Sequence, residues 1–582
     1  MQRIKQVNKY LVFLFLIIFC IFQYGIRKIC GFTLYPDEFG YWASAAGAVG
    51  YDWSEVASMG SYYSFGYSLI LTPVLKLFTD GIAAYRAAIA INMTFMCVGA
   101  FLLWNLLCNI YPQIDETKRA LICGIAVLYP SWIFYMQMTM AEAMLYFLFI
   151  LITYLLFKLI TKTKGITAVL LAVILIYIYC VHMRSVGVVI ACSITVFLWG
   201  VTDADRRKKL FLFLTVLGAA MLLAIWLKQL TQTWIYTAAS EEALAGNDYG
   251  SQWDKLRMIC SLKGIKQFLE GILGKIYYLG MASFGIFYWA LAWMAKEIVC
   301  LVKRLIKKES IQVIQWIALF LFLSAVGEVL ISSIFMYRST LIDTLVYGRY
   351  SEFIMPVILL IGIVIMLQSR FLLPVTLLLG IGNGLLTVKI LNIINQRSLS
   401  GLRGYHVPGI SYLIKEEDLR VELFFRDTWV MIMLIMVGSA LLIWLCRRWK
   451  STSWILAGFL VIQIILGMQI SSHYTYRMNR ANFEARYVSD AILKNYETDD
   501  HIVYLDEGTP EFIDFIQMQL GKKSISVVSL ETLSEEILQD DMPEFMVTSM
   551  DTQMDEKFSQ LYDQKITGMQ FNLYYQRRDQ ES

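Results

Sequence analysis

Asp37 and Glu38 stand side by side in GFTLYPDEFGYWASA (31–45), just past the first long apolar run and among Tyr35, Phe39, Tyr41 and Trp42. A carboxylate partly withdrawn from water holds a proton more tightly, so it can serve as a base or bind a cation. Other ionisable groups mark the ends of apolar runs: Arg86, Glu142 in MQMTMAEAML, His182 and Arg184 in YCVHMRSVG, then Arg338, with Arg349 and Glu352 in LVYGRYSEFIMP. Charge beside hydrocarbon is costly, which makes each a functional candidate. Each also has a plainer account. A single arginine snorkels to headgroups. Glu142 suits a helix N-terminus, His182 suits interfacial hydrogen bonding, and Glu352 can pair with Arg349 at i, i+3. The Asp-Glu pair resists such an account. What matters is whether the topology brings these separate segments to one face.

The elements that would do so are membrane helices. Of the 582 residues 58% are hydrophobic and 16% charged, against about half and about a quarter in soluble domains. The net charge of +4 is spread in short clusters between apolar runs, not in a stripe, so no nucleic-acid partner is expected. The ten cysteines are scattered and form no CxxC pair, so neither a zinc site nor a disulfide framework is indicated. The N-terminal run is long and lacks a small-x-small cleavage site, and reads as an uncleaved span. Spans are expected near 10–28, 86–108, 119–136, 140–160, 166–182, 185–201, 209–228, 276–301, 311–335, 351–368, 371–390, 428–446 and 453–470, about thirteen in all. Starting inside, the basic clusters Lys118–Arg119, KLITKTK (158–164), DRRKK (205–209), KRLIKK (303–308), Arg370 and RRWK (447–450) all fall on the cytoplasmic side, as the positive-inside rule requires.

The segments 29–85, 229–275, 336–350, 391–427 and everything after about 471 then lie outside. DEFGYWASAAGAVG and YSFGYSLILTPVLKLF are too short or interrupted to span and suit helices lying in the interface. The tail, 484–582, is less apolar. HIVYLD, SISVVSL, EFMVTSM and MQFNLYYQ read as strands; PEFIDFIQMQLG, SEEILQD and DEKFSQLYDQ between them read as helices. A small extracytoplasmic α/β domain with a largely parallel sheet is expected. No glycine-rich phosphate loop follows its first strand. The division is therefore a transmembrane domain over 1–475, with the Asp-Glu motif in its first outer loop (29–85), and the α/β domain over 484–582.

A basic start, one span and then an Asp-Glu pair in a long aromatic outer loop resembles the GT-C superfamily of membrane glycosyltransferases, which includes the protein O-mannosyltransferases and the lipid A aminoarabinose transferases. YYSFGYSLILTPVLKLFTDGIAAYRAAIAINM, YPSWIFYMQMTMAEAMLYFLFIL, VHMRSVGVVI and YGRYSEFIMPVILLIGI follow in matching order over residues 1–370. The resemblance implies an all-α polytopic fold and transfer of a sugar, with inversion, from a polyprenyl-phosphate donor to an acceptor at the outer face. It implies Asp37 as base with Glu38 in support, Arg86, Arg184 and Arg349 on the donor phosphate, and Tyr63, Glu142, His182 and Tyr350 lining the substrate pocket. A divalent metal serves some branches and not others. YYSFGYS lacks the basic residue and double proline of the aminoarabinose branch, and the tail does not resemble the trefoil modules of the mannosyltransferases. The sugar, and whether the acceptor is glycan, lipid or protein, therefore stay open. A bacterial plasma membrane is expected, with the N-terminus cytoplasmic.

Two other readings compete. A secondary transporter or lipid flippase would need polar groups near the bilayer midplane, whereas here they gather at span ends. A polysaccharide polymerase or ligase using diphosphate-linked donors is kept in play by Arg397, Arg403 and His406 in the 391–427 loop. A sensor or scaffold built around the tail leaves the Asp-Glu loop unexplained.

Overall fold

Apolar runs of bilayer length become helices because only a helix satisfies its backbone within the segment. The computed structural model describes residues 8–33, 35–237, 239–240, 244, 252–414, 420–446, 452–484, 486–498, 500–508, 513–531, 533, 542–568 and 570–576, with only the backbone described over 481–484. Among the described residues nine helices are long and apolar enough to cross a membrane: Lys9–Ile26, Gly81–Ile110, Ala141–Lys162, Met183–Gly200, Ala204–Ile235, Val313–Phe335, Leu372–Arg397, Val421–Cys446 and Thr452–Arg480. Gly165–Val181 and Glu352–Gln368 are apolar but shorter. Phe13, Phe211, Leu222, Leu378 and Leu434 stand exposed on the outside of the bundle, as lipid-facing side chains must.

Two expected spans are broken, and the count of thirteen is not reached. The run 119–136 splits into Glu116–Val127 and Pro130–Tyr135, because Pro130 has no N–H with which to continue the first helix. The run 276–301 splits into Leu262–Ala282 and Ile286–Lys307, which meet at 115°. Phe284 and Gly285 both have positive φ, 52° and 78°, and two left-handed residues in succession end a right-handed helix. The first-loop segment DEFGYWASAAGAVG, expected as a helix too short to span, forms the helix Asp37–Ala48, buried from Glu38 to Ala46.

The tail carries a five-stranded sheet: β1 (Ile502–Asp506), β2 (Ile525–Ser529), β3 (Phe545–Ser549), β4 (Gln564–Thr567) and β5 (Phe571–Tyr575), in the order β2-β1-β3-β5-β4. β2, β1 and β3 are parallel, but β5 and β4 are antiparallel, so the sheet is mixed. Only residues 568–570 join β4 to β5, and so short a connection forces an antiparallel pair. Ile513–Leu520 and Asp555–Leu561 are two of the expected helices; SEEILQD lies outside the described residues. The strands alternate, as a pleat must. Val503 and Leu505 pack with Phe558 and Tyr574 on one face, while Ile502 and Tyr504 join the core of the bundle. The end of the helix Thr452–Arg480 and the sheet region both grip the first loop. Asn479 Oδ1 accepts the backbone N–H groups of Cys30 and Gly31, both at 2.8 Å. Trp53 Nε1 donates to the Gly521 carbonyl at 2.7 Å, and Val527 N–H donates to Glu55 at 2.6 Å.

Candidate active site

The groups that face each other come from four elements whose ends lie together. Asp37 opens the helix Asp37–Ala48, where the N-terminal dipole favours an anion. Glu142 occupies the first turn of Ala141–Lys162. Arg184 sits in the 3₁₀ turn Met183–Ser185, held there as His182 Nδ1 accepts the Arg184 N–H at 3.3 Å. Arg349 lies in the loop before the turn Glu352–Ile354. Their side chains form one chain of charge. Arg184 Nη2 and Arg349 Nε donate to the same oxygen, Glu142 Oε1, at 2.8 and 2.6 Å. Arg349 also donates to Asp37 Oδ2. Arg184 is 0% exposed, Glu142 1%, Arg349 6% and Asp37 15%, so the exposed end of the chain is Asp37. Each guanidinium lies over a ring, Arg349 over Tyr35 and Arg184 over Tyr350, both at 4.6 Å, a favourable placement for a delocalised cation. Arg184 Nε and Nη1 and Glu142 Oε2 are buried and unpartnered. Among the described residues nothing takes these donors.

Of the residues expected from the sequence, Asp37, Glu142, His182, Arg184, Arg349 and Tyr350 are brought together. Tyr63 is beside them, its ring at 5.9 Å from that of Tyr41. It packs so closely on Gly40 that a Cβ there would fall 2.1 Å from Cδ2, which only glycine allows. Two residues sit differently. Arg86 Nε donates to the Ile29 carbonyl at 2.8 Å, bracing the entry to the first loop, and no contact among the described residues joins it to the arginine pair. Glu38 is 0% exposed and takes five hydrogen bonds: from Thr33 N–H (2.8 Å) and Oγ1 (2.5 Å), Tyr85 OH (2.6 Å), and Thr139 N–H and Oγ1 (both 2.7 Å). Burial raises its pKa even against those bonds. It ties the loop to the helix Gly81–Ile110 and to the buried turn at Thr139, and shares no partner with Asp37.

Two further polar clusters abut the site. Glu352 Oε1 accepts from Tyr129 (2.9 Å), Ser131 (2.5 Å) and Tyr278 (2.7 Å). The break at Pro130 is what turns Tyr129 and Ser131 towards it, and Glu352 makes no ion pair with Arg349. Asp343 Oδ2 accepts from Arg403 Nε (2.9 Å) and engages His406 Nδ1 (2.7 Å). His406 stacks near Tyr35 and Tyr347, with ring centroids 6.3 and 5.1 Å away. Burial opposes the Asp343 charge, but the bonds from His406 and Arg403 outweigh it and hold the carboxyl below its ordinary value. Burial lowers the His406 pKa despite Asp343. Asp343 escaped notice in the sequence; an acid inside the apolar STLIDTLVYG, six residues before Arg349, was the available signal. Every acid of the main cluster is engaged by arginine, and no group of three or more metal-ligating side chains occurs among the described residues, so these residues do not fit a resident metal ion.

No protein-family model matches the sequence, and no curated protein matches it by sequence. Solved structures do resemble it. ArnT from Cupriavidus metallidurans bound to undecaprenyl phosphate aligns over 98% of both chains with a TM-score of 0.54 at 12% identity. The apo form of ArnT aligns over 97% of both chains with a TM-score of 0.53 at 13% identity. At that identity the likeness is one of fold: the chain has the GT-C fold, helical and polytopic, with a small C-terminal sheet.

Proposed function

We propose that this chain is an integral-membrane glycosyltransferase that moves a sugar from a polyprenyl-phosphate donor to an acceptor, with inversion, at the outer face of a plasma membrane. In this reading the N-terminus is cytoplasmic and the tail region, 484–582, is an extracytoplasmic domain over the site. The observation that carries it is the buried arginine pair with two unpartnered Arg184 nitrogens. Guanidinium offers planar donors that match phosphate oxygens, and a buried donor left empty costs about 1–3 kcal/mol until a ligand takes it. The fold supports the same reading, since ArnT of that fold has been solved with undecaprenyl phosphate.

The chemistry follows from the chain of charge. The donor phosphate displaces Asp37 from Arg349 and takes the free nitrogens of Arg184. Asp37, released from its cation and the most exposed of the four, accepts the proton of the acceptor hydroxyl. The acceptor oxygen bonds to the anomeric carbon as the carbon–oxygen bond to phosphate breaks. The electron pair leaves on phosphate, whose charge Arg184 and Arg349 stabilise. Glu142 holds both arginines at one oxygen, and Glu38 anchors the loop. Arg86 has no part in the step. Tyr63, His182 and Tyr350 line the pocket. The sugar and the acceptor are not specified by these residues.

A diphosphate-linked donor is the second reading, favoured by Arg403, which is half-exposed beside His406 and could meet a second phosphate. One assay separates them. Protein in lipid nanodiscs is incubated with polyprenyl-phosphate and polyprenyl-diphosphate sugars, with Asp37→Asn alongside. Release of polyprenyl phosphate by wild type and not by D37N supports the proposal. Turnover of diphosphate donors alone selects the second reading, and turnover retained in D37N removes Asp37 as base.

A further inference from the structure

We propose that a second pocket at the same end of the bundle, separate from the Arg184–Arg349 pair, binds a phosphate group. The cavity, about 20 Å³, is lined by Gln267, Lys275, Arg338, Ser339, Thr344 and Arg397 among others. Three of these are cations, brought from the helix Leu262–Ala282, the segment after Val313–Phe335 and the end of Leu372–Arg397.

The charge is only partly balanced within the protein. Lys275 is 1% exposed, and its ammonium donates to the carbonyls of Thr344 and of Leu345, the latter at 3.1 Å. Burying an ammonium is costly unless an anion faces it, and here both acceptors are neutral. An ammonium has three donors, so one remains for a ligand. Asp343 attracts Lys275, but its hydrogen bonds go to Arg403 and His406. Arg397 donates to the Ser339 carbonyl at 3.3 Å and stands 3.9 Å from Glu270, which Lys266 shares at 3.8 Å. Arg338 is exposed in a left-handed conformation, φ 67°, and no carboxylate among the described residues pairs with it. Gln267, Ser339 and Thr344 add polar side chains to the lining between these cations.

The pocket's surroundings indicate where such a group comes from. On the helix Leu262–Ala282 the residues Gln267 and Lys275 face the pocket, while Leu262, Ile265 and Leu269 on another side are exposed. A helix divided in this way lies at a membrane surface, which is where lipid phosphates are. The short helix Ile342–Leu345 links the pocket to the site, with Thr344 and Leu345 holding Lys275 and Asp343 holding His406. A ligand bound here by its phosphate is therefore next to the reacting groups, whether it is a lipid of the bilayer or an acceptor that carries phosphate.

The test is binding, not turnover, so it stands or falls apart from the transferase reading. Full-length protein in neutral detergent is titrated with inorganic phosphate and, separately, with dioctanoyl phosphatidylglycerol. The proteins compared are Arg184→Gln, which removes one arginine of the other pair, and the same protein with Arg338→Gln/Arg397→Gln or with Lys275→Met added. Saturable binding is expected with Arg338 and Arg397 intact, weakened about tenfold or more for each arginine removed. Binding of phosphatidylglycerol alone assigns a lipid headgroup; binding of inorganic phosphate as well assigns any phosphate-bearing ligand. Absence of saturable binding, or equal binding by folded R338Q/R397Q, overturns the proposal, and because both arginines are at the pocket rim, that variant decides even if K275M fails to fold.

Discussion

Two kinds of buried carboxylate meet around the first loop, and they are held differently. Glu38 and Glu352 are held by neutral donors, hydroxyls and backbone N–H groups. Asp37 and Glu142 are held by arginines. A carboxylate ringed by short neutral bonds from several elements cannot leave without stranding all of them, so it fixes geometry. A carboxylate on a guanidinium can be exchanged for another anion, because the cation is indifferent to which oxyanion it faces. Adjacent residues in one sequence motif are thus held in opposite ways: Asp37 by a guanidinium, and Glu38 by hydroxyls and backbone N–H groups.

This contrast can be broken by substitution, ordered here by expected effect on transfer. Asp37→Asn should lower turnover by about 10²–10⁴ with the melting temperature unchanged, measured by polyprenyl phosphate release and thermal unfolding. Arg184→Gln should lower turnover by about 10²–10³ and weaken retention of polyprenyl phosphate in a binding assay. Glu38→Gln presents an amide to donors that all need an acceptor. It should cost about 1–3 kcal/mol of stability while turnover per folded molecule changes less than about tenfold. A larger loss of turnover in stable E38Q would erase the distinction. Arg86→Gln sharpens it from the cation's side. Losing one bond to the Ile29 carbonyl should cost about 1 kcal/mol, with donor binding unchanged. Asp514, in the helix Ile513–Leu520, should not affect transfer at all. Burial pushes its carboxyl up to about 7. Because the folded state keeps the proton that the unfolded state loses near pH 4, stability should fall as pH rises from about 4 to about 7, and Asp514→Asn should flatten that slope in pH-dependent melting.

Much of this was readable in the sequence. Apolar runs of bilayer length gave the helices, and alternation gave β1, β2, β3 and β5. The order of Asp37, Glu142, Arg184 and Arg349 along the chain gave four groups that meet. What escaped depended on local backbone or on distant pairing. Phe284 carries no mark of a left-handed residue, so the 115° bend was hidden in an apolar run. β4 is four residues long and three of them are polar, too short for a pattern. The pairing of Asp343 with His406 joins residues 63 apart, and no periodicity reports that. Glu38 and Asp37 were indistinguishable because a sequence shows that acids are adjacent, not that Thr33, Tyr85 and Thr139 surround only one of them. Arg86 shares its place near a helix start with Glu142, and no pattern in the sequence reports its bond to the Ile29 carbonyl.

The clasp of Asn479 on Cys30 and Gly31 spans 449 and 448 residues, and this sets a timetable. At roughly 5–20 residues per second a ribosome needs about 20–90 s to get from one end of that clasp to the other. During that interval the loop bearing Asp37 is already made, yet Cys30 and Gly31 have no acceptor, and Trp53 and Glu55 wait for a sheet that does not exist. A chain released early would carry the acids and arginines without the part that seats their loop. The first loop therefore gains its full seating only once Asn479 and the sheet have both been made.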